Sequence, residues 1–184
     1  YVSHLILLSS LASCDYSRGW SDVDCFMVIK EETIKDGNKL NELRKLCFKA
    51  WSFFLQITPL QHHGFIVTTD IDLKSYPISC MPPAAFKHSF SLLKDSTELS
   101  MKVRSNGFGS IHSLRQRAEA VRSAIKSGEL RHHPYKGIYL QSNYRNSQNS
   151  MYQLFCMLGY IMTIPAYMLD ALGLASYKGD SFVH

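Results

Sequence analysis

LLSSLASCDYSRGWSDVDCFMVI, Leu7 to Ile29, decides how this chain is read. Its first half looks like a bacterial lipoprotein signal, an apolar run leading into Leu11-Ala12-Ser13-Cys14. Its second half sets Asp22 and Asp24 at the mouth of an apolar strand, as a metal site would. The signal reading is not the one expected. A secretory leader opens with positive charge, whereas no Lys or Arg precedes Arg18 and the apolar part, Leu5 to Leu8, is short. The chain starts Tyr-Val-Ser-His without a Met, so it is expected to be a piece of a longer protein at both ends.

The metal reading follows from spacing. In a strand, residues two apart share a face, so Asp22 and Asp24 project together while Val23 packs inward. Adjacent like charges repel unless a cation lies between them. Mg²⁺ takes one or two protein carboxylates together with substrate phosphates. Upstream, Ser9-Ser10 ends a strand and enters a helical turn, where hydroxyls and backbone N–H groups hold phosphate. These parts suit metal-assisted phosphoryl or nucleotidyl transfer. Two ions would activate the attacking oxygen and neutralise the leaving pyrophosphate.

A strand, Gly-Ser, a loop of about ten residues and Asp-x-Asp opening an apolar strand form a known signature. The chain resembles the DNA polymerase beta-like nucleotidyltransferase superfamily, in its minimal and antibiotic-modifying type. Asp15-Tyr16, Gly19-Trp20 and Ser21 extend the match over the loop. The resemblance implies Asp22 and Asp24 as metal ligands. It also implies Ser10, with Ser9 and Ser21, at the nucleotide, and Lys178 after the last helix reaching the phosphates. Two departures stand out. Ser9 replaces the motif's glycine, whose missing Cβ lets phosphates approach. The third acid expected on a later strand is missing from Thr58 to Val67, and Asp70 and Asp72 come too late. His62 or His63 could serve as base or ligand instead, with His63 taken as the catalytic candidate.

Bulk properties fit this picture. In 184 residues, 46% are hydrophobic and 19% charged, with ten Tyr, ten Phe and two Trp, so the chain has material for a core. A net charge of +5 suits phosphate ligands without forming a nucleic-acid platform. Cys14, Cys25, Cys47, Cys80 and Cys156 are widely spaced with no CxxC pair, as in a reduced, cytoplasmic protein. Leu154 to Leu169 is uncharged but shorter than the roughly 20 residues of a membrane span. It contains Pro165, which predicts two buried helices, Met151 to Leu158 and Pro165 to Leu172, rather than a membrane segment.

The pattern predicts strands over Val2–Leu8, Asp24–Ile29 and Gly64–Thr69. It predicts a helix carrying Leu40, Leu43, Cys47, Ala50 and Phe54 inward. Beyond Asn106-Gly107-Phe108-Gly109-Ser110 helices follow. Ser113 and Gln116 read as a capping box and Leu114, Ala118, Val121 and Ile125 as a buried stripe. Arg115, Arg117, Arg122, Lys126 and Arg131 are either a solvated face or a surface toward a triphosphate or a nucleic acid. The expected fold is α+β: a small mixed-sheet nucleotidyltransferase-like domain over 1–109, then a helical bundle over 110–184.

The expected activity is Mg²⁺-dependent transfer of a nucleoside monophosphate, AMP from ATP, onto a small-molecule or protein acceptor. A nucleic acid acceptor is not expected. The alternative is a catalytically degenerate binding subunit of this fold, working as a homo-oligomer or in a toxin–antitoxin type pair.

Overall fold

A computed structural model describes residues 1–18, 20–58, 61, 64–76, 81, 83–93, 99–103, 108–127 and 150–174. The chain divides into two units, Tyr1–Ser105 and Asn106–His184.

The first unit is built on a four-stranded mixed sheet of order β3-β2-β1-β4. β1 (Val2–Leu7) and β2 (Cys25–Ile29) are antiparallel, with Ile6 opposite Phe26 and Leu7 opposite Cys25. β3 (Ile66–Thr69) lies parallel to β2, Ile66 beside Phe26. Parallel neighbours need a long connection. Two helices supply it, α2 (Glu31–Ile34) and α3 (Gly37–Ile57). β4 (Phe90–Ser91) pairs antiparallel with β1 on the other side.

Strand alternation sorts the side chains. Ile6, Leu8, Phe26 and Val28 bury themselves on one face with Leu73 and Tyr76. The Phe26 ring meets Phe86 edge-on at 4.9 Å and Tyr76 at 6.4 Å. Burying each such ring contributes about 1.5–3 kcal/mol. Cys25 and Met27 take the opposite face, the side of α3, where Cys25 senses Cys47 and Phe65 packs on Phe54. Asp36 caps α3, its carboxylate accepting from the N–H groups of Asn38 and Lys39 at 3.0 and 3.2 Å. Of the stripe expected inward on α3, Leu43 is buried whereas Leu40 is 40% exposed.

The second unit pairs α5 (Phe108–Ser127) with α6 (Ser150–Ala171). It departs from the sequence reading in three ways. α5 begins at Phe108, so Ser113 lies a full turn inside it and is buried; Ser113 and Gln116 are no capping box. The stripe of Leu114, Ala118, Val121 and Ile125 is not the buried side, since Ile125 is 71% exposed. Ser110, Ser113 and Ala124 are buried instead.

The third departure is Pro165, which interrupts nothing: α6 is one helix with the proline inside. Proline forfeits one backbone hydrogen bond, at a cost of about 3 kcal/mol. Tyr160, Thr163, Tyr167 and Asp170, on both sides of it, are all tied to α5, and that offsets the loss. The end of α6 is as expected. Gly173 stands at φ +76° while the Leu174 N–H reaches Leu169 O at 2.8 Å and the Gly173 N–H reaches Asp170 O at 3.0 Å. Among the described residues no helix is long and apolar enough to cross a membrane.

Candidate functional site

Asp22 and Asp24 immediately precede β2, and the backbone around them is held from two sides. The Leu8 N–H donates to Asp24 O at 2.9 Å and extends the β1–β2 ladder by one rung. At Ser9 the first chain turns away into α1 (Ser9–Ala12), a single helical turn. Gln61 then takes over. Its Oε1 accepts from the Val23 N–H at 2.8 Å, and its Nε2 donates to Val23 O at 3.2 Å. A side-chain amide carries the same donor and acceptor as a peptide group. Gln61, 2% exposed, therefore serves as a strand neighbour for the residue between the two aspartates.

Exposure alternates accordingly. Val23 and Cys25 are buried, while Asp22 and Asp24 are half-buried. The charge of Asp24 is felt inside. Burial pushes the Cys25 thiol up from 9.0 to about 12, with Asp24 and then Cys47 adding to the rise.

Ser9 and Ser10, both half-buried, open α1 directly after the last ladder rung. Ser9 stands at φ +55°, the left-handed region that favours glycine. Ser9 thus holds a backbone conformation that glycine adopts without steric cost. α1 ends as abruptly, with Cys14 at φ +62° and the Asp15 N–H on Ser10 O at 2.9 Å. Downstream, Ser21 is nearly buried and its hydroxyl accepts the Ser17 N–H at 3.0 Å, which closes the turn before Asp22. The Tyr16 hydroxyl bonds Thr58 Oγ1 at 2.6 Å and ties the loop to the end of α3.

β1, α1, the 17–21 turn and Gln61 bring Ser9, Ser10, Asp22 and Asp24 to one end of the sheet. Gly19, His62, His63 and Lys178 lie outside the described residues. Asp70 and Asp72 form no part of this cluster. They sit in α4 (Asp70–Leu73) after β3, capped by Thr69, whose Oγ1 accepts the Asp72 N–H at 3.0 Å. Since Thr69 pairs with Ile29, they lie beyond the far end of β2, roughly 15 Å along the strand from Asp24. There Asp70 accepts from Ser3 Oγ at 2.6 Å and borders a shallow, open hollow of about 460 Å³ with Lys30, Glu31, Glu32 and Lys35. These charges already pair with one another, Lys35 with Glu31 at 2.5 Å and Lys30 with Glu32 at 3.8 Å.

Two neighbouring carboxylates completed by phosphate oxygens are an ordinary donor set for Mg²⁺, so Asp22 and Asp24 fit the ion. Among the described residues no group of three or more His, Cys, Asp or Glu is arranged around a metal position. Gln61 was missed in the sequence. Its only signal is an uncharged polar residue in the run entering the third strand. The chain matches no protein-family model, no curated protein and no solved structure.

Proposed function

We propose that the chain is a nucleotidyltransferase that moves a nucleoside monophosphate, AMP from ATP, onto a small-molecule or protein acceptor with Mg²⁺. The observation that carries this reading is the junction of Leu8 and Asp24, which sets the serine turn beside the aspartate pair. Asp22 and Asp24 would hold the metal, Ser9 and Ser10 would orient the phosphates, and Gln61 would keep the pair aligned. Bound there, Mg²⁺ neutralises the triphosphate and activates the attacking oxygen. His62 or His63 remains the candidate base.

The test is nucleotide binding with and without Mg²⁺, followed by transfer of α-phosphate label from ATP in cell extract. Wild-type protein should bind ATP more tightly with Mg²⁺, and Asp22→Asn and Asp24→Asn should abolish that gain. ATP affinity indifferent to Mg²⁺ and to both substitutions overturns the reading.

A second reading is a binding subunit of this fold without turnover. The Cβ of Ser9 at a glycine-type φ and the lack of an acid from Thr58 to Val67 favour it. Metal-dependent ATP binding with no label transfer in any fraction would select this alternative.

A further inference from the structure

Arg117 in the helical unit is gripped from several directions. Its guanidinium carbon lies 4.2 Å from the centre of the Tyr167 ring and 5.7 Å from that of Tyr160. Its Nε donates to Thr163 Oγ1 at 2.9 Å, and its Nη1 donates to Ser113 O at 3.5 Å. Thr163 is itself fixed, its hydroxyl donating back to Gly159 O at 2.9 Å. The ring faces and the threonine hold the planar fork in one orientation.

The remaining donors of the fork, those of Nη2 among them, have no acceptor among the described residues. No carboxylate among those residues pairs with it either. Asp170, the acid of α6, is engaged by the Ser110 hydroxyl. A half-buried guanidinium with donors left over is a ready partner for an anion. The surroundings favour a multiply charged anion. Over Phe108–Ser127, Arg115, Arg117, Arg122 and Lys126 stand against Glu119 alone, four positive charges minus one negative, or +3.

We propose that Arg117, oriented by Tyr160, Thr163 and Tyr167, is the receptor for a phosphate group of a ligand, either a phosphate ester or a pyrophosphate. This site stands apart from the reading of Asp22 and Asp24 and does not depend on it. A fork held in place beforehand gives up little freedom when it closes on a tetrahedral oxyanion, and it offers two parallel donors. Tyr167 and Tyr160 are positioning residues for it.

The test uses the whole chain with inorganic phosphate and pyrophosphate as probes. Binding is followed by calorimetry and by the Arg117 Nε–H resonance, assigned by its loss in Arg117→Lys. Pyrophosphate should move that resonance. Arg117→Lys should weaken binding about tenfold or more, because the charge stays but the fork is lost. Arg122→Gln, an exposed neighbour on the same helix, should change affinity by less than about twofold. An unmoved Arg117 resonance overturns the proposal. So does equal weakening by both substitutions, which means a diffuse field, and so does acetate binding as well as phosphate. If Arg117→Lys loses helical structure, the resonance is assigned through its own side-chain and backbone connectivity and its shift in the wild type decides.

Discussion

The side chain of Gln61 bonds both backbone groups of Val23, 38 residues away, and Val23 is the residue between the two candidate metal ligands. Both bonds are buried. Removing the amide leaves a donor and an acceptor without partners at about 1–3 kcal/mol each. Gln61→Met, which keeps the volume, should therefore lower the unfolding free energy by about 3 kcal/mol in urea titration. It should also weaken Mg²⁺-dependent nucleotide binding, although Gln61 offers the metal nothing directly. Unchanged values on both counts would refute this role.

Ser9 makes an inverse prediction. At φ +55° a Cβ costs about 1–2 kcal/mol, of which the entropy of a new glycine returns roughly half. Ser9→Gly should raise stability slightly, by about 0.5–1 kcal/mol. It should also leave more room for phosphate and tighten ATP binding. Ser9→Val, branched at Cβ, should destabilise. Chemical denaturation and nucleotide titration of the pair test both signs.

Gly173 should show the reverse. A Cβ there would meet nothing within 4 Å, yet φ is +76°. Gly173→Ala should cost about 1 kcal/mol from the backbone alone, read as a fall in thermal midpoint. A neutral result would mean that the C-terminal turn of α6 forms some other cap.

Cys25 sets an alkaline limit. In the unfolded chain its thiol ionises near 9.0, while in the folded chain it stays protonated to about 12. Between those values the unfolded state has released the proton and the folded state has not. This contribution to stability is whole below about 9 and is lost as pH rises toward 12. Cys25→Ala should flatten that limb relative to wild type, and Asp24→Asn should shift its upper end downward. In native protein at pH 8, peptide mapping after alkylation should find exposed Cys14 modified and Cys25 protected.

The aspartate pair should respond to ligand only while both charges are present. Without Mg²⁺ and ATP, wild type and Asp22→Asn set the two baselines for thermal unfolding. With Mg²⁺ and ATP the wild type should gain midpoint while the variant gains none. Equal gains in both would remove Asp22 from the metal site.

What the sequence determined by itself is local. Short apolar and β-branched runs marked the three longer strands, because that composition is written in neighbouring residues. Asp36 and Gly173 stand at helix ends, where caps are chosen by the local backbone they serve. The Asp22-Val23-Asp24 triplet showed its alternation for the same reason. What only the tertiary structure decided depends on partners distant in sequence. Gln61 became a strand substitute because β1 leaves Val23 unpaired at Ser9, and no pattern near residue 61 says so. Pro165 failed to end its helix because contacts with α5 on both sides outweigh one missing hydrogen bond. The buried side of α5 proved to be Ser110, Ser113 and Ala124 rather than the aliphatic stripe. Which face a helix hides is settled by what packs against it, and here α6 brings Tyr160 and Tyr167 to Arg117 and Asp170 to Ser110.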